Sequence, residues 1–167
     1  MNKNHEKVEQ IILEYLKKNR KTIILDSNAK EILKVDSDSF EYFEYEISEI
    51  NIEIRKAGLS LDNLPPSILN LTKSQRYANY LSKINMIAIK KGIPKEYIMC
   101  EFIHEFIHRK FSLREWDKTN FKKILPDMID FGPEENTCKI LSYEYAKKKG
   151  FEKEYAKNIG LFDSSCS

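Results

Sequence analysis

Residues 95–111, KEYIMCEFIHEFIHRKF, form the segment that most restricts how this chain can fold. Apolar residues fall on nearly every side of a helix with this sequence, which is typical of a helix buried at the centre of a domain. Pro94 stands at its start, where proline favours helix initiation. Two of the three histidines of the chain, His104 and His108, lie inside the segment. Because polar groups are costly to bury without partners, we expect these imidazoles to have one.

The two histidines belong to an H-E-x-x-H pattern, His104-Glu105-Phe106-Ile107-His108. A spacing of four places both imidazoles on one face of a helix, one turn apart, where they can bind one metal ion. Neutral imidazole suits Zn²⁺. Glu105 occupies the position of a metallopeptidase general base, which is not itself a ligand. We therefore predict His104 and His108 as zinc ligands and Glu105 as the catalytic residue.

Two other interpretations of this motif stay open. The histidines can be ordinary helix residues satisfied by hydrogen bonds, with Glu105 at the surface. The metal can also be purely structural, although such a zinc site has four protein ligands, usually including cysteine.

A catalytic zinc site needs a third protein ligand and one open position. The metzincin continuation is absent, because Phe111 and Arg114 stand where that pattern has glycine and histidine. The remaining histidine, His5, is remote in sequence. We therefore expect a carboxylate from a later helix, either Glu134 or Glu135. Helical phase favours Glu134, since its face carries more apolar side chains than the face of Glu135.

Further residues on or near these helices are candidates for supporting roles. The fallback ligands are Asp127 and Asp130. Candidate partners that orient the imidazoles are Asp127, Asp130, Asn136 and Glu101. Candidates for stabilising an oxyanion are Tyr97, Tyr143 and Tyr145, for each of which core packing is the alternative explanation.

Hydrophobic periodicity predicts an α+β fold that is mainly helical, with a small β-sheet packed on the helix of residues 95–111. Helices are predicted over residues 6–18, 28–35, 67–83, 95–111, 134–149 and 152–159. Strands are predicted over residues 21–26 and 84–90. The strand at 84–90 is a candidate edge strand to which a peptide substrate adds, with a plain buried apolar run as the alternative.

Residues 40–56 are ambiguous, because their apolar residues alternate with acids while helix-forming glutamate is frequent. We interpret them as helix first and strand second. Elsewhere the ends of helices carry clearer signals. Asp26 or Ser27 is expected to cap the helix over 28–35, and Gly150 to end the helix over 134–149.

The cysteines and the charge balance restrict the cellular compartment and the binding partners expected of the protein. Cys100, Cys138 and Cys166 are odd in number and widely spaced, which predicts reduced thiols, and we interpret the first two as core residues. Neither a signal peptide nor a membrane span is predicted, so we expect a cytoplasmic protein. The net charge of only +2 argues against direct binding to nucleic acid or membranes. Lysine clusters at 118–123 and 147–149 are interpreted as solvated faces.

At this point the chain resembles a known family. Residues 84–111 give a strand, a break and the H-E-x-x-H helix, and the sequence PEENTCKILSYEYA follows after a spacer. This arrangement resembles the ImmA/IrrE-type zinc metallopeptidases, a gluzincin-like group of bacteria, phages and mobile elements. The helix that supplies their third ligand often reads E-A-N-x-F-A, which this chain matches at Glu134 and Asn136. Ile107 replaces the glycine common before the second histidine.

The resemblance covers about residues 80–150 and implies a zincin-like core there. The length of 167 residues predicts a single domain, whose N-terminal part is 1–79. It implies zinc held by His104, His108 and Glu134, with Glu105 as base. It also implies a protein substrate, often a transcriptional repressor of a phage or mobile element.

Three other functions compete with this metallo-endopeptidase. A degenerate zincin would bind a partner protein without catalysis. A host-directed toxin protease would use the same chemistry, since the motif is equally close to the H-E-L-I-H of clostridial neurotoxin proteases. A nucleic-acid-binding protein would use the lysine clusters.

Overall fold

The computed structural model describes residues 3–34, 39–60, 62, 71, 77–117 and 124–163. Six helices and four strands lie within these residues, and their mainly helical α+β composition confirms the predicted fold class. In chain order they are α1 (Lys3–Lys18), β1 (Arg20–Ile24), α2 (Ser27–Leu33), β2 (Ser39–Tyr45), α3 (Ile47–Lys56), β3 (Ala78–Leu81), β4 (Met86–Lys90), α4 (Tyr97–Ser112), α5 (Pro133–Lys149) and α6 (Glu152–Ile159).

The chain divides into two compact units. The first unit comprises Met1–Ile23 and Phe40–Ile93, and it holds α1, α3 and nearly all of the sheet. The second unit comprises Ile24–Ser39 and Pro94–Ser167, and it holds α2, α4, α5 and α6. A single domain, and a sheet packed on the H-E-x-x-H helix, both stay predictions.

The first unit is built on a four-stranded sheet with the order β1-β2-β4-β3. Strands β2 and β4 are parallel, with Phe43 opposite Ala88, whereas β3 runs antiparallel to β4, with Asn79 opposite Ala88. The strand predicted at residues 84–90 is confirmed as β4. Its prediction as an edge strand is wrong, because β4 has a neighbour on each side and its backbone groups are already paired.

Residues 40–56 fold in the opposite order to the prediction, with the strand first and the helix second. In β2, Phe43 and Tyr45 are both buried, which is the period of two expected for a strand. In α3, Ile50 and Ile54 are fully buried, one helical turn apart, while Ile52 is 53% exposed. Isoleucine at every second position fits the period of a strand, and the first and last of the three also lie one helical turn apart. The sequence alone therefore could not distinguish a strand from a helix here.

The helix predicted over residues 67–83 lies largely outside the described residues. At its C-terminal end the prediction is wrong, since Ala78–Leu81 forms β3. Pairing with β4, where Tyr80 lies opposite Ile87, outweighs the local preference of this short segment.

The helices of the second unit agree with their sequence signals. The side chain of Asp26 caps α2 and accepts a hydrogen bond from the backbone N–H of Ala29 at 2.8 Å. A second oxygen of Asp26 accepts a 2.8 Å hydrogen bond from the hydroxyl of Tyr145 on α5. Pro133 begins α5, and Gly150 ends it in the left-handed conformation. Among the described residues, no helix has both the length and the apolar character required to cross a membrane.

We predict that Asp26→Ala lowers the free energy of unfolding by about 1–2 kcal/mol, because α2 loses its cap and Tyr145 loses its acceptor. Chemical denaturation followed by circular dichroism measures the change. Asp26→Asn is the matched control, since asparagine is an equally good cap and its amide N–H can donate to the hydroxyl oxygen of Tyr145. Equal losses in the two variants would contradict the capping role.

Candidate metal centre

Helix α4 presents the two histidines of the motif from a largely buried surface. The buried residues of α4 lie on nearly all of its sides, as predicted: Tyr97, Cys100, Glu101, Phe102, Ile103, Glu105, Phe106, Ile107 and Phe111. The side chains of His104 and His108 are 12% and 23% exposed, and their ring centroids are 5.0 Å apart. The motif therefore places two imidazoles side by side at the edge of the buried surface.

Glu135 of α5 joins these two imidazoles. One carboxylate oxygen lies 3.0 Å from Nε2 of His104, and the other lies 3.0 Å from Nε2 of His108. A single carboxylate thus bridges both histidines, and the two helices meet around three groups that can bind a metal ion.

The structure brings Glu135, not the favoured Glu134, to both ε nitrogens. A carboxylate oxygen of Glu134 lies 3.7 Å from the other ring nitrogen of His108, Nδ1. The buried face of α5 carries Glu135, Cys138 and Ser142, the last two fully buried. The hydroxyl of Ser142 donates to the carbonyl of Cys138 at 2.9 Å, so this polar side chain is satisfied within the helix. A polar residue such as Ser142 therefore does not mark an outer face of α5, and for this reason the comparison of apolar faces favoured Glu134.

Cys138 also belongs to the group. One ligand atom from each of His104, His108, Glu135 and Cys138 can be chosen so that all four lie within 4.8 Å of one another. The thiol is fully buried, as expected for a core residue, but it is also a potential ligand. Its spacing of three residues from Glu135 is the sequence signal that could have identified it. The four side chains can hold a metal ion.

The start of α5 is held by hydrogen bonds that position Glu135. The amide of Asn136 accepts from the backbone N–H of Phe131 and donates to Asp130, both at 2.8 Å. The same oxygen of Asp130 accepts from the backbone N–H of Gly132 at 2.9 Å. Asp130 and Asn136 therefore shape the helix start instead of contacting the imidazoles, and Asp127 lies outside the group as well.

Burial and charge act against each other at the bridged histidines. Burial lowers the pKa of His104 below its ordinary value, and the hydrogen bond to Glu135 only partly opposes this effect. Burial also lowers the pKa of His108, but the hydrogen bond to Glu135 and the charges of Glu105, Glu135 and Glu134 leave it above its ordinary value. For Glu135, burial is outweighed by its hydrogen bonds to both histidines, so its pKa is lowered. The carboxylate therefore remains charged and ready to bind a cation.

Glu105 lies at the same place in the fold. Its side chain is 6% exposed, and its charge affects both His108 and Cys138, raising the pKa of each. Of the alternative that had hydrogen-bonded histidines and a surface Glu105, the surface position is wrong, whereas the histidines do contact Glu135 at hydrogen-bond distance. The proximity of its charge is what the role of a general base requires.

A further carboxyl group, Glu101, lies one turn before His104 on α4 and is 8% exposed. It accepts a 3.3 Å hydrogen bond from the hydroxyl of Tyr155 on α6. Burial raises the pKa of Glu101 to about 7, against the opposing effects of Tyr155 and Lys139, and the charge of Glu135 adds to the rise. Sequence reasoning named Glu101 but missed Tyr155, because α6 is far away in the chain.

The tyrosines suggested for oxyanion stabilisation have other contacts. Tyr145 donates to Asp26, the ring of Tyr143 packs on Phe162, and the ring of Tyr97 packs on Tyr155. These contacts agree with the core-packing explanation. His5 lies on α1 in the first unit and is outside the metal-binding group.

A cavity of about 490 Å³ also lies in the second unit. Trp116, which follows α4, lines it together with Thr137, Glu144 and Lys148 of α5. Thr137 precedes Cys138 in sequence, so the cavity opens on the same helix that carries Glu135.

No family model, curated protein or solved structure matches the chain. The resemblance to ImmA/IrrE-type metallopeptidases therefore stays a prediction, which the motif and its geometry have to support by themselves.

We predict that Glu135→Gln weakens zinc binding by about 100-fold or more, whereas Glu134→Gln changes it little. Losing an orienting partner already costs about 10–100-fold in metal affinity, and a direct ligand should cost at least as much. Competition with a chromogenic chelator measures both affinities, and His104→Ala serves as the metal-free control. The reverse ranking of the two glutamates would restore Glu134 as the ligand.

We predict that the buried carboxyl group of Glu101 makes the metal-free protein lose stability, relative to Glu101→Gln, as pH rises from 4.5 to 7. The folded protein binds the proton of Glu101 more tightly than the unfolded chain does, so raising the pH through this window favours unfolding. The shift from 4.5 to about 7 corresponds to about 3 kcal/mol. Urea denaturation at a series of pH values should show a flatter profile for Glu101→Gln than for the exposed control Glu96→Gln. Identical profiles would contradict this assignment.

Proposed function

We propose that the protein is a zinc-dependent metallo-endopeptidase that hydrolyses a peptide bond in a protein substrate. The observation that carries the proposal is the convergence of His104, His108 and Glu135, whose ligand atoms lie within 4.8 Å of one another. Glu105, next to the first histidine, supplies a nearby carboxylate outside that group. The combination of two imidazoles, one carboxylate ligand and one carboxylate outside the ligand set is that of a catalytic zinc site of the gluzincin type.

The donor atoms fit zinc by their chemistry. Two imidazole nitrogens and a carboxylate oxygen form one of the ligand sets of catalytic zinc. Glu135 lies 3.0 Å from each imidazole, which is hydrogen-bond distance and implies protons between the carboxylate and the rings. Metal binding would replace these protons, so zinc affinity should fall when the histidines are protonated.

Each residue of the site has a distinct task in hydrolysis. Zinc, when bound, polarises the scissile carbonyl and acidifies the attacking water. His104, His108 and Glu135 hold the ion, and the hydrogen bonds of Asn136 fix the helix that carries Glu135. Glu105 accepts the proton of the water and donates it to the nitrogen of the leaving amine.

The proposed substrate is a protein, such as a transcriptional repressor of a phage or mobile element. This proposal depends on the resemblance of residues 80–150 to ImmA/IrrE-type peptidases. The cavity lined by Trp116 and Thr137 offers room for a substrate side chain beside α5. We also propose a cytoplasmic setting, in agreement with the free thiols of Cys100 and Cys138.

One observation favours a second candidate function, a non-catalytic protein with a structural metal. Such a site has four protein ligands, and Cys138 is available as the fourth. The same fold would then bind partners without hydrolysing them.

We predict that Glu105→Gln binds zinc with the stoichiometry of the wild type but hydrolyses peptides about 10²–10⁴-fold more slowly, because the general base is lost. Elemental analysis measures the metal, and mass spectrometry of a digested peptide library measures cleavage. Glu134→Gln is the matched control, with a carboxylate removed beside the site.

Undiminished cleavage by Glu105→Gln would refute the mechanism. A protein that binds zinc yet cleaves nothing in the library, both as the wild type and as Cys138→Ala, would favour the structural-metal function.

A further inference from the structure

Cys138 is the one member of the metal-binding group without a task in the proposed hydrolysis. It lies on α5, one turn after Glu135, and its side chain is fully buried. Its sulfur converges with the imidazole nitrogens and the carboxylate oxygen within 4.8 Å. A buried thiol at this place has no solvent to contact, whereas a metal ion held by the other three groups would be within reach.

Cysteine sulfur is a strong ligand for zinc, and tetrahedral zinc accepts four ligands. A catalytic site keeps the fourth position open for water or substrate, and a structural site closes it with a fourth side chain. The two histidines and Glu135 account for three positions. If the sulfur of Cys138 binds the metal, it fills the fourth coordination position and closes the site. If it does not, that position stays open for water or substrate.

We propose that Cys138 is a fourth protein ligand, which closes the metal site at rest and must leave the metal before a peptide is hydrolysed. This proposal concerns the regulation of the site and rests on the proposed peptidase function. Metal binding forms a metal–sulfur bond, breaks the S–H bond and releases that proton to solvent. Opening breaks the metal–sulfur bond, and the thiolate takes a proton back from solvent.

The surrounding charges explain why the thiol needs the metal to ionise. Burial raises the pKa of Cys138 well above its ordinary value, and the negative charges of Glu135, Glu105 and Glu134 raise it further. A divalent cation at the group would offset most of that negative charge and so favour the thiolate.

Cys100 provides a matched control within the same unit. It lies on α4, one turn before His104, and is also fully buried. Burial raises its pKa as well, but it is not part of the metal-binding group. A change specific to coordination should therefore appear on substituting Cys138 and not on substituting Cys100.

Cobalt(II) substituted for zinc in the full-length protein tests the proposal, because thiolate ligation gives a charge-transfer absorption that nitrogen and oxygen ligands do not. We expect this absorption in the wild type and in Cys100→Ala. We expect Cys138→Ala to bind one cobalt per chain without it. In the zinc form, opening the fourth position should raise cleavage of the peptide library by about tenfold in Cys138→Ala.

Two results would overturn the proposal. Wild-type protein that binds cobalt without the thiolate absorption would remove Cys138 from the metal and leave the peptidase function standing. Absorption that persists in Cys138→Ala would show that it does not come from Cys138, and would also remove Cys138 from the metal. If Cys138→Ala does not fold, Cys138→Ser, which nearly preserves the side-chain volume, replaces it in the same measurement. Failure of the peptidase function would instead appear as cleavage that is independent of Glu105, with the cobalt spectrum unchanged.

Discussion

The second unit depends on one interaction, the carboxylate of Glu135 between the imidazoles of His104 and His108. Each imidazole would be costly to bury alone, and so would the carboxylate. Together they form hydrogen bonds of 3.0 Å. These contacts outweigh the effect of burial on the pKa of Glu135, so the carboxylate stays ionised. The contact also sets how α4 and α5 face each other, since all three residues must meet at one point.

The residues around this contact make it suitable for chemistry. Asn136 and Asp130 fix the start of α5, so Glu135 is presented from a helix end that cannot easily shift. Glu105 adds a second, separate carboxylate, and Glu101 with Tyr155 adds a buried pair one turn away. In our proposal, coordination by Cys138 determines whether a metal ion held here is open for catalysis or closed by four side chains.

Local signals predicted those elements whose ends carry specific residues. Asp26 at the start of α2 and Gly150 after α5 are examples, because a cap or a left-handed residue acts through the nearest backbone groups. Residues 40–56 were predicted in the wrong order, because alternating isoleucines fit both a strand and a helix. The interior position of β4 could not be predicted either, since its partners β2 and β3 are separate segments of the chain.

The sequence by itself determined the motif: a spacing of four fixes His104 and His108 on one face of any helix that contains them. It also limited the carboxylate expected beside the two imidazoles to Glu134 or Glu135. Only the tertiary structure brought Glu135 to both imidazoles and Cys138 to the same point. Neighbouring helix residues differ by about 100° around the axis. The rotation of α5 against α4 is set by the contact of Glu135 with both imidazoles and by the packing around it, which no local sequence pattern specifies.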